Sequence, residues 1–353
     1  MNISFPHLGF YHIPIKTLLS TLFPEAAVTP PPPITRRTLE LGARHSPDFV
    51  CAPFKYNLGN FIEALENGAD TLFSAGGGCR FGFYGGLIEQ ILRDLGYRFT
   101  FVSLFNADGL KIGRIRREVK RLGGRAGYPG LAHALLLAFA SVALMDEVDI
   151  YVRQNAAFEV ERGAFDRVRA AFLQDLASVR SFSALRKTDR VYAGRFLSLA
   201  VRRPQKALRV GLVGELFDLM EPFANRFIER ELINNGISVS RFVNASYLLN
   251  QPKSLERKTV KAASPYLTHA IGADGTFSVA KTHRLARGGF DGIIHIKPFG
   301  CTPEVNAMPA LQNISRDCGI PVAHFSFDAH CADSAVKTRV EAFCDMLKMR
   351  KGL

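Results

Sequence analysis

The chain has 353 residues, of which 47% are hydrophobic and 22% are charged, and its formal net charge is +13. This length is enough for two domains with a sizeable core, and the ordinary globular composition excludes a low-complexity or largely disordered protein. The positive charge leaves three kinds of anionic partner open: nucleic acid, an anionic lipid surface and a phosphate-bearing ligand.

The first 110 residues alternate short apolar stretches with amphipathic ones, which is the pattern of a parallel sheet covered by helices. The predicted strands are 26–30, 70–75 and 99–105, and the predicted helices are 57–68 and 85–97. In the first helix Leu58, Phe61 and Leu65 recur at helical spacing, and the second helix ends at Gly96. We therefore predict an α/β domain over residues 1–110.

Residues 111–205 have a helical pattern with little sign of strands. Their first part, 111–125, holds seven Lys or Arg against one Glu, which indicates a solvated helix face or a surface that docks a phosphate or a partner. Residues 131–145 are apolar, but a membrane-spanning helix needs about twenty residues, so we predict a buried core helix there. We therefore predict a helical middle segment and no membrane partner.

Residues 206–353 return to the alternation of strand and helix. The predicted strands are 208–215, 238–243, 290–298 and 321–327, and the predicted helices are 219–236 and 333–350. In the last helix Val336, Val340, Phe343 and Leu347 lie on one stripe. The sequence as a whole therefore predicts an α/β fold with two Rossmann-like parallel-sheet domains, the second over 206–353, and a helical segment between them.

The chain contains six cysteines: Cys51, Cys79, Cys301, Cys318, Cys331 and Cys344. Its first residues lack the basic start and apolar run of a signal peptide, so we expect a cytoplasmic protein. In that compartment cysteines are thiols or metal ligands more often than disulfides.

Three cysteines, Cys51, Cys79 and Cys301, follow short apolar runs that we interpret as strands, and the carboxyl ends of parallel strands share the edge where ligands bind. The glycines before Cys79, including Gly77 and Gly78, allow a bulky group to approach the backbone. A helix capped by Thr302 would favour the thiolate form of Cys301. Three thiolates suit a 4Fe–4S cluster with one open iron or an incomplete zinc site, and the third alternative is that these are unliganded loop or core cysteines.

The remaining cysteines are weaker candidates. We interpret Cys318 and Cys344 as buried small hydrophobes. Cys331 follows His330 and lies near Asp328, so its segment is either a structural turn or a metal or acid–base site. Motifs for nucleotide hydrolysis, dinucleotide binding, serine hydrolysis and the zinc proteases are absent from the sequence.

Five stretches of the sequence resemble the 2-hydroxyacyl-CoA dehydratase superfamily, in particular its activase-associated iron–sulfur branch. They are PPPPITRRTLELGARHSPDFVCAPFKYNLGNFIEAL, GADTLFSAGGGCRFGFYGG, LVGELFDLMEPFANRFIERELINNG, DGIIHIKPFGCTPEVNAMPALQNISRDCGIPVAHFSFDAH and TRVEAFCDML. Relatives in that family include dehydratase subunits, benzoyl-CoA reductase subunits and double-cubane cluster proteins. The resemblance covers most of the chain and is weakest over 111–205.

The resemblance implies a 4Fe–4S cluster held by Cys51, Cys79 and Cys301. It also implies a separate ATP-dependent activator protein that donates one electron, and an acyl-CoA whose thioester carbonyl is reduced to a ketyl radical. A second dehydratase-like subunit or a homodimer is the further partner. On this interpretation Lys55, Arg80 and Lys297 lie near the cluster or the substrate. Glu304 is the candidate acid or base, with stabilisation of the helix start as the alternative role.

Three other functions remain as alternatives. The chain could be a non-catalytic electron-transfer or assembly subunit of such a system, rather than a lyase or reductase component. It could be an iron-free binding protein with structural cysteines. Nucleic-acid binding through 111–125 is disfavoured, because aromatic residues do not accompany the basic ones.

Overall fold

The computed structural model describes residues 1–74, 79, 81–103, 112–125, 127–249 and 254–353. The chain forms two compact units. Unit 1 consists of Met1–Val142 and Leu173–Thr188, and unit 2 consists of Ala143–Phe172 and Asp189–Leu353.

Unit 1 is built on a four-stranded, fully parallel sheet in the order β2-β1-β3-β4. The strands are β1 (Asn2–Ser4), β2 (Ala27–Val28), β3 (Thr71–Ser74) and β4 (Thr100–Ser103). The sequence predicted β2, β3 and β4 but missed β1, because three residues are too few to show an alternating pattern. β1 is nevertheless central: Ile3, which is fully buried, is paired with Val28 on one side and Thr71 on the other.

Among the described residues, five helices belong wholly to unit 1: α1 (His12–Leu22), α2 (Arg36–His45), α3 (Ala52–Glu66), α4 (Phe81–Asp94) and α5 (Ile112–Arg121). Thr35 caps α2 in a reciprocal capping box with Thr38. Glycines let α2 and α3 pack backbone against backbone: a Cβ on Gly42 would lie 1.7 Å from the Lys55 carbonyl oxygen, and one on Gly59 would lie 1.8 Å from that of Thr38.

Three long helices follow, namely α6 (Tyr128–Asn155), α7 (Ala164–Leu176) and α8 (Phe182–Leu197), and each contributes residues to both units. In the described part of the chain one helical stretch, from Tyr128 to Phe158, is long and apolar enough to cross a membrane, with a mean hydropathy of 1.7. The predicted length of this helix was therefore too short. However, 61% of its most apolar window is buried inside the protein, a share typical of a core helix.

Unit 2 contains a second four-stranded parallel sheet, in the order β6-β5-β7-β8. Its strands are β5 (Leu208–Gly214), β6 (Ile237–Arg241), β7 (Gly292–Pro298) and β8 (Val322–Phe327). Every residue of β7 is buried, as expected for a central strand with helices on both faces.

The helices of unit 2 after β5 are α9 (Leu216–Met220), α10 (Ile228–Asn234), α11 (Ala245–Leu249), α12 (Ser254–Ala263), α13 (Ala273–Ala286), α14 (Thr302–Cys318) and α15 (Asp333–Lys351). The single helix predicted over 219–236 is wrong. It is divided between α9 and α10 by a turn in which Arg226 and Phe227 have positive φ. The apolar stripe predicted for α15 is confirmed, since Val336, Val340 and Leu347 are each at most 3% exposed.

The chain thus has two all-parallel sheets with helices around them, and its described residues between β4 and β5 are largely helical. This confirms the predicted fold class of two parallel-sheet domains with a helical middle segment.

Candidate functional site

Both sheets reverse their winding direction beside their first strand. In unit 1 the chain runs from β1 to β2 on one side and then crosses to β3 on the other, and in unit 2 it runs from β5 to β6 and then crosses to β7. Open parallel sheets bind ligands outside the carboxyl ends of their strands at such a switch point. Cys79 follows β3 and Cys301 follows β7, so each unit places a cysteine just after a strand that borders its switch point.

Cys51 lies at the start of a helix instead of the end of a strand. The described residues before it form a turn, and Cys51 itself is the N-cap of α3. Because α3 precedes β3, this N-terminus faces the carboxyl edge of the sheet. The half-buried Cys51 Sγ lies 3.3 Å from the hydroxyl oxygen of Tyr84 on α4. The prediction that Cys51 ends a strand was wrong. Cys51 nevertheless lies at the ligand-binding edge, because α3 begins there.

Cys79 is exposed, and its carbonyl oxygen accepts a hydrogen bond from Gly82 N in the first turn of α4 at 3.0 Å. Burial raises the pKa of Tyr84, and the nearby Cys51 and Cys79 raise it further. Both thiols therefore lie within electrostatic range of one hydroxyl group. Lys55 is half-buried on α3, one turn after Cys51. Gly77, Gly78 and Arg80 lie outside the described residues.

In unit 2 the half-buried Cys301 is itself the N-cap of α14, where the sequence had predicted Thr302 in that role. Burial lowers the pKa of Lys297, while Cys301, Glu304 and Asp218 act against that shift. The structure therefore brings together three residues that the sequence had singled out: Cys301, Lys297 and Glu304.

Glu304 is fully buried in the first turn of α14 and is not a surface charge at the helix start. Its Oε2 lies 2.7 Å from His295 Nε2 on β7, and its Oε1 accepts a hydrogen bond from the Ser278 hydroxyl on α13 at 3.1 Å. The other ring nitrogen of His295, Nδ1, lies 2.9 Å from His324 Nδ1 on β8. A carboxyl group and two imidazoles thus form one continuous chain of hydrogen bonds.

Burial determines the charge state of this chain. It raises the pKa of Glu304 to about 8. It lowers the pKa of His295 to about 3, with the cation of Lys297 adding to the effect, and lowers that of His324 to about 4. At neutral pH the carboxyl group is therefore protonated and both imidazoles are neutral. Groups whose pKa values are displaced in this way are typical of acid–base sites, although structural networks show the same displacement.

Two further carboxyl groups at the same edge were missed by the sequence analysis. Glu215 directly follows β5 and caps α9 by accepting a hydrogen bond from Asp218 N at 2.9 Å, and Asp274 in the first turn of α13 accepts one from Leu216 N at 3.2 Å. Burial and the neighbouring Asp274 raise the pKa of Glu215 to about 8, and burial and Glu304 raise that of Asp274 to about 7. A signal was present for both, since each stands at a helix start.

Asp218 is the most isolated of these groups. It is 0% exposed, and neither of its carboxyl oxygens has a hydrogen-bond partner among the described residues. Burial, and next the nearby Glu215, raise its pKa well above the usual value, against the opposing effect of Arg226 and Lys297. The carboxyl edge of unit 2 therefore carries several buried carboxyl groups, which have few hydrogen-bond partners among the described residues.

Two glycines make this arrangement possible. Gly214, at the end of β5, has φ of 139°, and a Cβ there would lie 1.8 Å from the carbonyl oxygen of Ile296. A Cβ on Gly275 would lie 2.4 Å from the carbonyl oxygen of Pro303, so a glycine lets the starts of α13 and α14 touch. That contact places Ser278 within reach of Glu304.

Of the two other cysteines that the sequence predicted to be buried, only one is. Cys344 is fully buried on α15, as predicted, whereas Cys318 at the end of α14 is exposed, so the prediction of burial was wrong for it. Cys331 is half-buried in a turn where His330 N donates to Asp328 Oδ1 at 2.8 Å, and burial raises the pKa of its thiol.

The basic stretch forms α5. Ile115 and Val119 of this helix are buried in the core of unit 1, whereas Arg117, Lys120 and Arg121 are exposed. The guanidinium of Arg116 lies 4.4 Å from the ring centre of Tyr128. Lys111 lies outside the described residues.

Among the residues that the structure describes, no three His, Cys, Asp or Glu side chains are grouped so that they could hold a metal ion. A scan against models of protein families finds none that matches the chain, and a search of curated proteins finds no match. The chemistry of the two sheet edges and the sequence resemblance are therefore the indications of its function.

Proposed function

We propose that this chain is the iron–sulfur component of a 2-hydroxyacyl-CoA dehydratase-like system. A separate ATP-dependent activator reduces it, and it acts on an acyl-CoA or a similar small substrate by radical chemistry in the cytoplasm. The observation that carries the proposal is that thiols lie at both sheet edges. In unit 1 Cys51 contacts Tyr84, and Cys79 lies within electrostatic range of the same hydroxyl group. In unit 2 Cys301 occupies the corresponding position after the third strand.

The donor set fits a 4Fe–4S cluster in its chemistry. All six cysteines lie in the described part of the chain, and none of them is in a disulfide bond. Cys51 and Cys301 are helix N-caps, and Cys79 accepts a hydrogen bond from the first turn of α4. The positive end of a helix favours thiolate, which is the form that binds iron. The proposal requires Cys301 to complete the set that Cys51 and Cys79 begin.

The surrounding residues fit the substrate chemistry. When bound, such a cluster supplies single electrons and an iron that can accept a substrate oxygen. Lys297 is a cation at the carboxyl edge of unit 2, suited to an anionic group on a substrate. Glu304 holds a proton at neutral pH, so it is a proton reservoir at this edge for the departure of a hydroxyl group. These acid–base groups favour an enzyme component over the alternative of a non-catalytic electron-transfer or assembly subunit.

Anaerobic reconstitution with iron and sulfide tests the proposal. We expect the full chain to bind about four irons and four sulfides, the content of one 4Fe–4S cluster. We also expect it to give an electron paramagnetic resonance signal after reduction. Replacement of Cys51, Cys79 or Cys301 by Ala removes a ligand, and each change should abolish stable iron binding.

Cys318→Ala is the matched control, because that thiol is exposed and lies outside the proposed ligand set. It should keep the full iron content. Full iron in any of the three ligand variants would contradict the assignment of that cysteine. A colourless, iron-free wild-type protein after reconstitution would favour the alternative of an iron-free binding protein.

A further inference from the structure

The hydrogen-bonded chain in unit 2 has a feature that a purely structural network does not need. His295 is 0% exposed and uses both ring nitrogens, one toward Glu304 at 2.7 Å and one toward His324 at 2.9 Å. The far nitrogen of His324, Nε2, is buried and has no hydrogen-bond partner among the described residues. The chain of hydrogen bonds therefore has a closed end at Glu304, where both carboxyl oxygens are bonded, one to His295 and the other to Ser278. Its open end is His324 Nε2, which has no partner among the described residues.

The pairing of the two rings follows from the sheet. His295 and His324 are register partners on the neighbouring strands β7 and β8, and their rings meet edge to face with centres 5.1 Å apart. Two facing Nδ1 atoms can share a hydrogen bond only if one ring carries a hydrogen there and the other does not. The protonation of one imidazole therefore fixes that of its neighbour.

Two uncharged ring arrangements satisfy every bond. In the first, Glu304 Oε2–H donates to His295 Nε2, His295 Nδ1–H donates to His324 Nδ1, and His324 carries its hydrogen on Nε2. In the second, Glu304 is a carboxylate that accepts from His295 Nε2–H, His295 Nδ1 accepts from His324 Nδ1–H, and His324 Nε2 is bare. The first becomes the second when each hydrogen moves one step and one proton leaves from His324 Nε2.

We propose that Glu304, His295 and His324 form a proton relay, through which the buried carboxyl group exchanges its proton at His324 Nε2 with water or with an oxygen or nitrogen atom of a bound ligand. Neither imidazole carries a charge at either end of the transfer. The relay therefore lets a carboxyl group inside the protein lose and regain a proton repeatedly. The proposal concerns proton transfer within unit 2 and does not rest on the iron–sulfur function.

The groups around the relay favour uncharged imidazoles over a buried ion pair between a histidine cation and the Glu304 carboxylate. Glu215, which follows β5, and Asp274 of α13 lie within electrostatic range of Glu304. Lys297 of β7 acts on both imidazoles, and Asp218 acts in turn on Lys297. On the far side Arg339 of α15 donates to the backbone oxygen of His324 at 2.7 Å. The lack of solvent at His295 and the cation of Lys297 oppose an imidazolium, as the lowered pKa values of His295 and His324 reflect.

Nuclear magnetic resonance of the full chain labelled with ¹⁵N-histidine tests the relay, because the two nitrogens of each ring report which one bears hydrogen. The chain has nine histidines, and single substitutions of His295 and His324 assign their signals. We expect His295 to carry hydrogen on Nδ1 at pH 6. As the pH passes about 8, where Glu304 ionises, His295 should switch to Nε2–H while His324 switches from Nε2–H to Nδ1–H.

Glu304→Gln provides the decisive variant. Its amide does not ionise, so His295 should keep its hydrogen on the same ring nitrogen from pH 6 to pH 10. His269→Gln, which changes an exposed histidine outside the relay, should leave the switch unchanged. A doubly protonated His295 at pH 7, a switch of one ring without the other, or no switch between pH 6 and pH 10 would each overturn the proposal. These three outcomes are read from the wild-type protein, so the test stands even if Glu304→Gln does not fold.

Discussion

Unit 1 and unit 2 use the same strand order and differ in what they place at its carboxyl edge. Each sheet is parallel, with its first strand between the second and the third. Each has a helix before the third strand and another after it, and both helices start at the edge. In unit 1 those starts carry Cys51, which contacts Tyr84, and Cys79, which lies within electrostatic range of that tyrosine. In unit 2 the helix before the third strand carries Asp274, and the helix after it carries Cys301 and Glu304.

The difference shows that topology fixes where chemistry can occur, and local sequence fixes which chemistry it is. Sulfur dominates the edge of unit 1, which suits metal binding and electron transfer. Buried carboxyl and imidazole groups dominate the edge of unit 2, which suits proton transfer. Reductive removal of a hydroxyl group needs both an electron and a proton, so a division of labour between the two edges is consistent with the proposed function.

The packing that positions the sulfur edge gives the largest expected effect. Gly59→Ala would place a Cβ 1.8 Å from the backbone oxygen of Thr38, and backbone atoms cannot rotate away. We expect α2 and α3 to separate and the free energy of unfolding of unit 1 to fall by about 4 kcal/mol or more. Hydrogen exchange of peptides from each unit measures this separately, and those from unit 2 should change less.

Gly86→Ala is the matched control for that experiment. Gly86 is also helical, but a Cβ there meets nothing within 4 Å. It should be neutral or stabilise unit 1 by about 0.5–1 kcal/mol, because alanine is the better helix former. Equal stability of the Gly59 and Gly86 variants would show that the close packing of α2 on α3 is not needed.

The acid edge should give unit 2 a dependence on pH to which Glu304 contributes. The pKa of Glu304 is raised to about 8 in the folded protein, so its stabilising contribution is complete below the unfolded value near 4.5 and is lost as pH rises toward 8. Between pH 6.5 and pH 8 the wild-type protein loses stability because unfolding releases about one proton from Glu304. Glu304→Gln removes that titration, so the free energy of unfolding should fall by roughly 2 kcal/mol less over that interval.

Hydrogen exchange of peptides from β7, corrected for the effect of pH on the intrinsic exchange rate, measures this contribution of Glu304. Glu215 and Asp274 change in the same direction and remain in the variant, so part of the slope should persist. His295 and His324 act in the opposite direction, but mainly below pH 6.5, because their folded pKa values are lowered. An identical slope in the variant would show that Glu304 is already ionised at pH 6.5.

The smallest effect is expected at Tyr84, the tyrosine that contacts Cys51 in unit 1. Tyr84→Phe removes the hydroxyl group 3.3 Å from Cys51 Sγ and keeps the ring, which packs edge to face on Phe54. We expect a loss of about 1 kcal/mol in the stability of unit 1, the net value of one hydrogen bond. Exchange of peptides from α3 and α4 measures it, and a loss above about 3 kcal/mol would mean that the ring packing had also changed.

Much of the fold could be predicted because its signals are local. β7 reads GIIHIKP, in which only His295 and Lys297 have polar side chains, and it is a fully buried strand. The stripe on α15 likewise predicted its buried face. The wrong predictions have local causes too. β1, Asn2–Ser4, is too short to show a pattern. The turn that divides α9 from α10 depends on positive φ at Arg226 and Phe227, and neither residue type favours that conformation.

The sequence by itself determined the fold class, because the hydrophobic period of strands and helices depends on near neighbours. It also singled out Cys51, Cys79, Cys301, Lys297 and Glu304 as candidates for a site. It placed His295 in a strand but could not show its partners. Only the tertiary structure decided that His295 meets both His324 and Glu304, and that Glu215 and Asp274 join them. These contacts depend on strand register and on the close approach of α13 and α14, which are set by the packing of the whole unit and not by any single stretch of the chain.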